Sequence, residues 1–318
     1  MSDLDLGRLG YGAANVGNLY REVSDEVAWA AMAAAWDSGI RYFDTAPHYG
    51  LGLSERRLGA FLRTKPREQY VISTKVGRLL RPNPDGAGTT DLAHDFAVPG
   101  DLRRVWDFTA DGISRSLDES LQRLGLDAVD ILFLHDPDEF DLTSALATGV
   151  PALAELRAQG RIRAAGIGSK STAALLSAAR TGQLDLLMVA GRYTLLEQPA
   201  ALEVLPECRA RGVGVIAAAV FNSGVLARPV PAAGDRYEYG AIPEEMLARV
   251  RRIAEVCARF EVELPTAAVQ FALRDPAVRN VVVGGGRPDQ VRQNAERMTA
   301  PIPDGLWRAL EDNELVTI

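Results

Sequence analysis

Four side chains that lie far apart in the chain share one place in the pattern around them. Asp44 ends the run RYF, Lys75 ends YVIST and His135 ends VDILFL, while Tyr49 follows Asp44 by five positions. A phenol has an ordinary pKa near about 10, so a tyrosine is a poor base at neutral pH unless a neighbouring cation favours its phenolate. A lysine supplies that cation, and a carboxylate keeps the lysine charged and in place. Tyr49 would then be general acid or base, Lys75 its tuner, Asp44 the anchor of Lys75, and His135 the group that orients a substrate oxygen. Taken singly, Lys75 reads as a strand end leaving for solvent and His135 as a strand-end hydrogen bonder; the set together points to proton transfer. None of these groups carries electrons, so hydride chemistry at such a site needs a bound nicotinamide.

These residues meet only if the runs that carry them belong to one barrel. Eight β-rich runs alternate with helical patterns: 8–12, 41–44, 70–75, 129–135, 162–169, 184–190, 213–219 and 278–284. Several are unbroken apolar runs, which suits strands of a parallel sheet covered on both faces. The count fits a (β/α)8 TIM barrel, an α/β fold in which every strand opens its C-terminal end at one mouth. Within TADGISRSLDESLQRLG, Ile113, Leu117, Leu121 and Leu124 recur at three- and four-residue steps before Gly125, which predicts a helix with a glycine C-cap. Ser24, Ser54 and Ser171 read as N-caps, and Gly39 closes the first helix. The segment GYGAANVG offers G-x-G-x-x-N with no helix opening behind it, a weak basis for a doubly wound dinucleotide-binding sheet. The chain therefore reads as one barrel domain over 1–318, with two long connections, 76–108 and 221–242, lying over the C-terminal face.

The final strand adds a candidate cofactor loop. VVVGGGRPDQVRQN runs through Gly284, Gly285 and Gly286 to Arg287, with Pro288 at a first helical position and Gln290, Gln293 and Asn294 along the first turns. Glycines admit a close backbone approach, and a helix N-terminus offers unpaired N–H groups to phosphate oxygens. Trp106 and Phe108 in the third connection, with Phe221, read as an apolar wall against the carbon face of a substrate. His48 has two readings, lining the substrate site or facing water, and water is the expected one.

Composition narrows the partners. The 318 residues are 47% hydrophobic and 24% charged, with a formal net charge of −7. That balance gives no basic footprint for nucleic acid. No window approaches the roughly 20 apolar residues of a membrane span, and MSDLDLGRLG lacks a charged region followed by an apolar signal core. A cytoplasmic protein with no membrane partner is expected, its oligomeric state left open. Cys208 and Cys257 fall in helical patterns away from any metal-ligand spacing, so they read as reduced thiols and no metal site is expected.

FDTAPHYG followed by SE, then STK, FLHDPD, GIGS and the glycine-rich last loop, resemble in that order the aldo-keto reductase family over nearly the whole chain. The resemblance implies that Asp44, Tyr49, Lys75 and His135 are a catalytic tetrad and that hydride passes between NAD(P)(H) and a carbonyl or alcohol. It implies cofactor contacts at Gly12, Ala13, Asp44, Ser169, Lys170, Phe221, Gly284, Gly285, Gly286, Arg287, Gln290, Gln293 and Asn294. Tyr49, His135, Trp106 and Phe108 then face the substrate. LGYGAANVGNLY, HDPD, AGRYTLLEQ and FNSGVLA are most similar to the sugar-oxidising group, the L-fucose or D-threo-aldose 1-dehydrogenases and L-galactose dehydrogenase, to which pyridoxal 4-dehydrogenase is also similar.

The chain departs from the family pattern at several cofactor positions. Lys170 stands where members usually have an asparagine, Ala190 replaces a glutamine, and Ala218 replaces a stacking tyrosine, with Phe221 near enough to substitute. Gly284 and Gln290 stand where NADP-dependent relatives carry a lysine and an arginine, and losing two cations weakens charge-assisted binding of a 2′-phosphate. NAD is the expected cofactor, with NADP as the alternative because Arg287 remains. The expected reaction oxidises the anomeric carbon of an aldose to the lactone. The alternatives are pyridoxal oxidation or general aldehyde and ketone reduction on the same scaffold and, from another class, a cofactor-sensing regulatory subunit without catalysis.

Overall fold

The computed structural model describes residues 4–317 apart from 233, 235 and 239. The strands β1 (Leu9–Gly12), β2 (Tyr42–Asp44), β3 (Val71–Val76), β4 (Ile131–His135), β5 (Ala164–Ser169), β6 (Leu186–Ala190), β7 (Gly214–Ala218) and β8 (Val278–Gly284) fall on the eight expected runs, with β3 continuing one residue past its run to Val76. All pair in parallel with their sequence neighbours, and β8 pairs with β1 to close the barrel. Outside the strands lie α1 (Asp25–Asp37), α2 (Leu53–Leu62), α3 (Ala110–Leu124), α4 (Val150–Ala158), α5 (Thr172–Arg180), α6 (Val204–Arg211), α7 (Glu244–Arg259), α8 (Leu264–Phe271), α9 (Pro288–Thr299) and α10 (Asp304–Asp312).

Strand parity divides the core in two. Tyr42, Val71, Ile131, Phe133, Leu186, Met188, Ile216 and Val282 form one buried cluster, which fills the bore. Their neighbours Phe43, Ile72, Leu132, Leu134, Leu187 and Val215 belong to a second cluster with the helices. Side chains alternate along a strand, so the residues in phase with the bore cluster at the C-terminal ends are Asp44, Lys75, His135, Ala190, Ala218 and Gly284. Three polar or charged side chains thus share the rim with three small residues, leaving room above the bore.

Local capping follows the sequence with one exception. Ser24, Thr109 and Ser171 accept from backbone N–H groups three residues on, and Gly125 ends α3 at φ 62°. Ser54 is not a cap, because α2 opens after Gly52. Its buried hydroxyl instead donates to the Ala13 carbonyl at 2.8 Å and bonds Thr45 Oγ1 at 2.8 Å, tying the first two strand ends together.

Residues 76–108 are not a structureless loop. Arg78–Pro82 and Leu102–Trp106 pair as an antiparallel hairpin, with Arg78 opposite Trp106 and Leu80 opposite Arg104. The alternation of the second strand turns Leu102, Arg104 and Trp106 inward and leaves Arg103 and Val105 exposed. In the second long connection Arg236–Tyr237 pairs with Gly240–Ala241, and Glu238 between them accepts from Lys170 at 3.1 Å, while 233, 235 and 239 lie outside the described residues. Both cysteines are free and buried, and burial pushes each thiol up to about 12. Among the described residues no helix is long and apolar enough to cross a membrane, and no cluster of side chains is suited to a metal ion.

Candidate active site

The turn after β2 delivers Tyr49 to the rim. The Tyr49 N–H donates to the Ala46 carbonyl at 3.1 Å, and Gly50 follows at φ 61° with its Cα against Gly17. A Cβ at Gly50 would strike the Gly17 carbonyl, so both the backbone sign and the close approach require glycine there. Lys75 Nζ lies 2.6 Å from Asp44 Oδ2, 3.0 Å from the Thr45 carbonyl and 3.2 Å from Tyr49 Oη. An ammonium has three donors and no acceptor, so all three are used and Tyr49 Oη must be the acceptor. The phenolic proton is thereby directed away from Lys75. Asp44 Oδ1 accepts from Ser73 Oγ at 2.7 Å, and Ser73 Oγ is 2.9 Å from the Tyr42 hydroxyl, so the carboxylate is fixed through both oxygens.

Burial and charge compete at each group. Removal from water pushes Tyr49 upward, and Lys75, pulling the other way, does not fully offset it. The expected sign of the Lys75 effect holds, but burial is the larger influence in the unliganded site. Burial also opposes the charge on Lys75, yet Asp44 and Tyr49 together raise its pKa above the ordinary value. His135 is held well below the ordinary imidazole range by burial and then by Arg78 and Lys75, so its ring is neutral. Its Nε2 is 3.3 Å from Asp136 Oδ2, and its Nδ1 is buried without a partner among the described residues. Asp136 adopts φ 43°, accepts from Arg78 Nη2 at 2.6 Å, and is pushed up to about 6 by burial against the pull of Arg78.

These groups sit on the floor of a cleft of about 960 Å³. Gly12, Asp44, Ser169, Lys170, Phe221, Gly284, Gly285, Arg287, Gln290, Gln293 and Asn294 line it with Tyr49, Lys75 and His135. Ala13 and Gly286 do not. Ala13 is fully buried, its N–H bonded to the Asp44 carbonyl at 2.8 Å and its carbonyl to Ser54, so it braces the rim from behind. Gly286 is buried behind the Asn15 side chain. The Ser169 hydroxyl is already engaged, donating to Asp138 at 2.6 Å and accepting from the Ser171 N–H at 2.8 Å.

Three expectations on the substrate side change. Phe108 is buried against the backbone of Gly77 and belongs to the core, not to the cleft wall. Trp106 lines an adjoining cavity of about 470 Å³, stacked on Phe140 at 5.6 Å with the Arg78 guanidinium 4.4 Å from its ring. His48 does not face water; it is half-buried, lines the cleft, and packs edge-on against His135 at 5.5 Å and Phe96 at 5.4 Å. Sequence reading also missed Arg78, Asp136 and Arg104. The hairpin alternation in LRRVW carried a signal for Arg104, whereas the left-handed turn that aims Asp136 carried none.

The cleft fits a dinucleotide. The buried, unpartnered His135 Nδ1 calls for a polar ligand atom at one end. At the other end Gly284 and Gly285 leave space that a Cβ could not share with Asn15 and Val291, and Tyr11 Oη pins the Gly285 carbonyl at 2.7 Å. Beyond them α9 opens at Pro288, and Gln290, Gln293 and Asn294 of its first two turns line the cleft. Residues 8–313 match the aldo/keto reductase family. The chain belongs to that family.

This aldo/keto reductase is 58% identical to a D-threo-aldose 1-dehydrogenase from a Pseudomonas species, covering 98% of this chain and 95% of the relative. It is 40% identical to pyridoxal 4-dehydrogenase from Microbacterium luteolum, over 99% and 96% of the two chains. It is 30% identical to L-galactose dehydrogenase from Arabidopsis thaliana, over 93% and 85%. Among solved structures, the holo form of an aldo-keto reductase from Bacillus halodurans superposes with a TM-score of 0.76 at 23% identity, covering 99% and 94%. At that identity the likeness speaks for the fold. The aldo/keto reductase assignment makes the protein an oxidoreductase.

Proposed function

We propose that this protein oxidises the anomeric carbon of a free aldose to the lactone, with NAD as the preferred hydride acceptor. The observation that carries the reading is the junction at Lys75, whose ammonium binds Asp44 and Tyr49 together beneath a neutral His135. A nicotinamide held along Ser169, Lys170, Gly284, Gly285 and Arg287 would supply the hydride acceptor for the anomeric carbon. Tyr49 takes the proton of the anomeric hydroxyl, Lys75 stabilises the phenolate that does so, and His135 holds the reacting oxygen. The charged groups beside Tyr49 are already balanced: Arg78 is paired with Asp136 and Glu139, and Arg104 with Asp91. Such a set offers donors and acceptors to hydroxyls while supplying no unpaired charge for a sugar phosphate. The Pseudomonas relative at 58% identity supports an aldose substrate. Initial rates with L-fucose, L-galactose, D-arabinose and pyridoxal, each with NAD and NADP, test this reading. Turnover of pyridoxal alone would replace it, and no turnover with retained cofactor binding would favour a sensing role.

Cofactor choice has its own support. Arg287 donates to Asp289 through Nε at 3.1 Å and Nη2 at 2.9 Å, so the cation near the glycine loop is already engaged by a carboxylate. With Gly284 and Gln290 uncharged, a 2′-phosphate lacks a strong partner. kcat/KM should favour NAD over NADP by at least about tenfold, the size of one charge-assisted hydrogen bond. Asp289→Ala should narrow that gap by freeing Arg287; equal efficiencies in the unaltered protein would sink the preference.

The pH profile follows from Tyr49. Oxidation requires its phenolate, and its pKa lies above the ordinary tyrosine value because of burial. At neutral pH the reactive fraction is therefore small and rises with pH. The kcat/KM for aldose oxidation should climb about tenfold per pH unit over roughly pH 6 to 8, and carbonyl reduction, which needs the phenol, should not rise with it.

A further inference from the structure

His48 is the residue of the RYFDTAPHYG turn to which the proposed reaction gives no task. Its surroundings are built with more care than a bystander needs. Asp91, buried in the segment between the two hairpin strands, accepts two bonds from Arg104, from Nη1 at 2.7 Å and from Nη2 at 2.6 Å. Arg104 and Asp91 side chains are each only 7% exposed, so the pair is rigid and shielded from salt. The remaining face of the guanidinium turns to His48. Arg104 Nη2 donates to the His48 carbonyl at 2.8 Å, and Arg104 Nε donates to His48 Nδ1.

That last bond fixes a tautomer. A guanidinium has no acceptor and does not give up its proton, so Nδ1 must present its lone pair. A neutral imidazole then carries its single proton on Nε2. Burial, followed by the charges of Arg104 and Arg78, holds His48 well below the ordinary imidazole range and keeps it neutral. Among the described residues no group is bonded to Nε2. The ring packs edge-on against Phe96, His94 and His135, lies 6.0 Å from the Tyr49 ring, and lines the same cleft.

Resting on the aldose reading above, we propose that His48 is a specificity-determining residue that donates Nε2–H to the substrate hydroxyl on the carbon next to the reacting one, with Arg104 and Asp91 as its positioning residues. His135 and His48 then stand side by side as two neutral donors, with ring centroids 5.5 Å apart, over two adjacent oxygens of the sugar. The balanced charge around Arg78 and Arg104 leaves these neutral donors to select by hydroxyl position.

The test compares the best aldose found in the substrate screen with its 2-deoxy analogue. The unaltered enzyme should prefer the hydroxylated sugar, and His48→Phe should reduce that preference by about tenfold or more, because a site that hydrogen-bonds a hydroxyl discriminates strongly against its absence. His48→Gln keeps an N–H donor near the Nε2 position and should retain part of the preference, which separates the donor from a packing role. Arg104→Met should lose preference mainly through a higher KM for the hydroxylated sugar. In ¹⁵N spectra of labelled histidine, resolvable because the chain has three histidines, His48 should show an unprotonated Nδ1 in the unaltered protein and a mixed tautomer in Arg104→Met. NAD titration calorimetry should show cofactor binding retained in each variant. An unchanged preference in His48→Phe, or a protonated Nδ1 in the unaltered protein, overturns the proposal while leaving the aldose reading intact. No turnover of any aldose by the unaltered enzyme overturns both.

Discussion

Replacing Tyr49 by Phe should lower turnover by about a thousandfold or more while leaving NAD affinity, measured by calorimetry, largely unchanged. The loss is large because Tyr49 is the group held at the Lys75 junction, and the cleft carboxylates Asp44 and Asp136 are already engaged, Asp44 by Lys75 and Ser73 and Asp136 by Arg78. Lys75 has all three donors occupied and no lone pair while charged. His135 is neutral, with Nδ1 unpartnered, but it stands where a donor to the reacting oxygen is needed in the same step. The Phe ring keeps the contacts of Tyr49 with Phe96 and His135, at 6.1 Å and 5.8 Å, so the cleft keeps its shape. The variant removes one oxygen and its proton. Retained turnover would move the acid–base role to another residue, and an inactive unaltered protein that still binds NAD would point to the sensing alternative.

The barrel was legible because its strands carry unbroken apolar runs, a pattern set by burial on both faces. The three strand-end members of the site were legible for a related reason. A polar residue ending such a run lies in phase with the bore, as Asp44 does with Tyr42 and His135 with Ile131 and Phe133. The hairpin over the mouth was hidden because its two strands are separated by a Pro- and Gly-rich segment with no regular period of its own. Phe108 was misplaced for want of that hairpin, since the returning strand ends at Trp106 and leaves Phe108 against Gly77. Ser54 looked like a cap because its type and position suit one; the choice of Gly52 depends on a left-handed backbone at φ 82°, which sequence spacing does not show. His48 looked solvated because the guanidinium that engages it lies 56 positions away.

Asp44→Asn should cost about 3–5 kcal/mol of stability in urea unfolding, because it leaves an ammonium buried without its counter-charge. The Lys75 and Asp44 side chains are 2% and 4% exposed, so water cannot replace the lost partner. The pH dependence distinguishes this cause from lost packing. In the unaltered protein the Lys75 pKa is raised on folding, so its contribution is full below the ordinary lysine value and fades only as pH climbs through the higher folded one. In Asp44→Asn the burial that opposes the Lys75 charge acts without the carboxylate, and the folded pKa falls below the unfolded value. The penalty is then greatest at low pH and shrinks as pH rises and Lys75 is neutral in both states. Adding Lys75→Met removes the stranded charge, and the double variant should recover most of the lost stability. Turnover should stay low in both, because Tyr49 has lost the group that stabilises its phenolate. A double variant no more stable than Asp44→Asn would mean that the bond from Ser73 or the packing of the strand end, and not the buried charge, sets the cost. Stability restored without turnover would place the ion pair at the reacting proton: the fold tolerates its loss, and the chemistry does not.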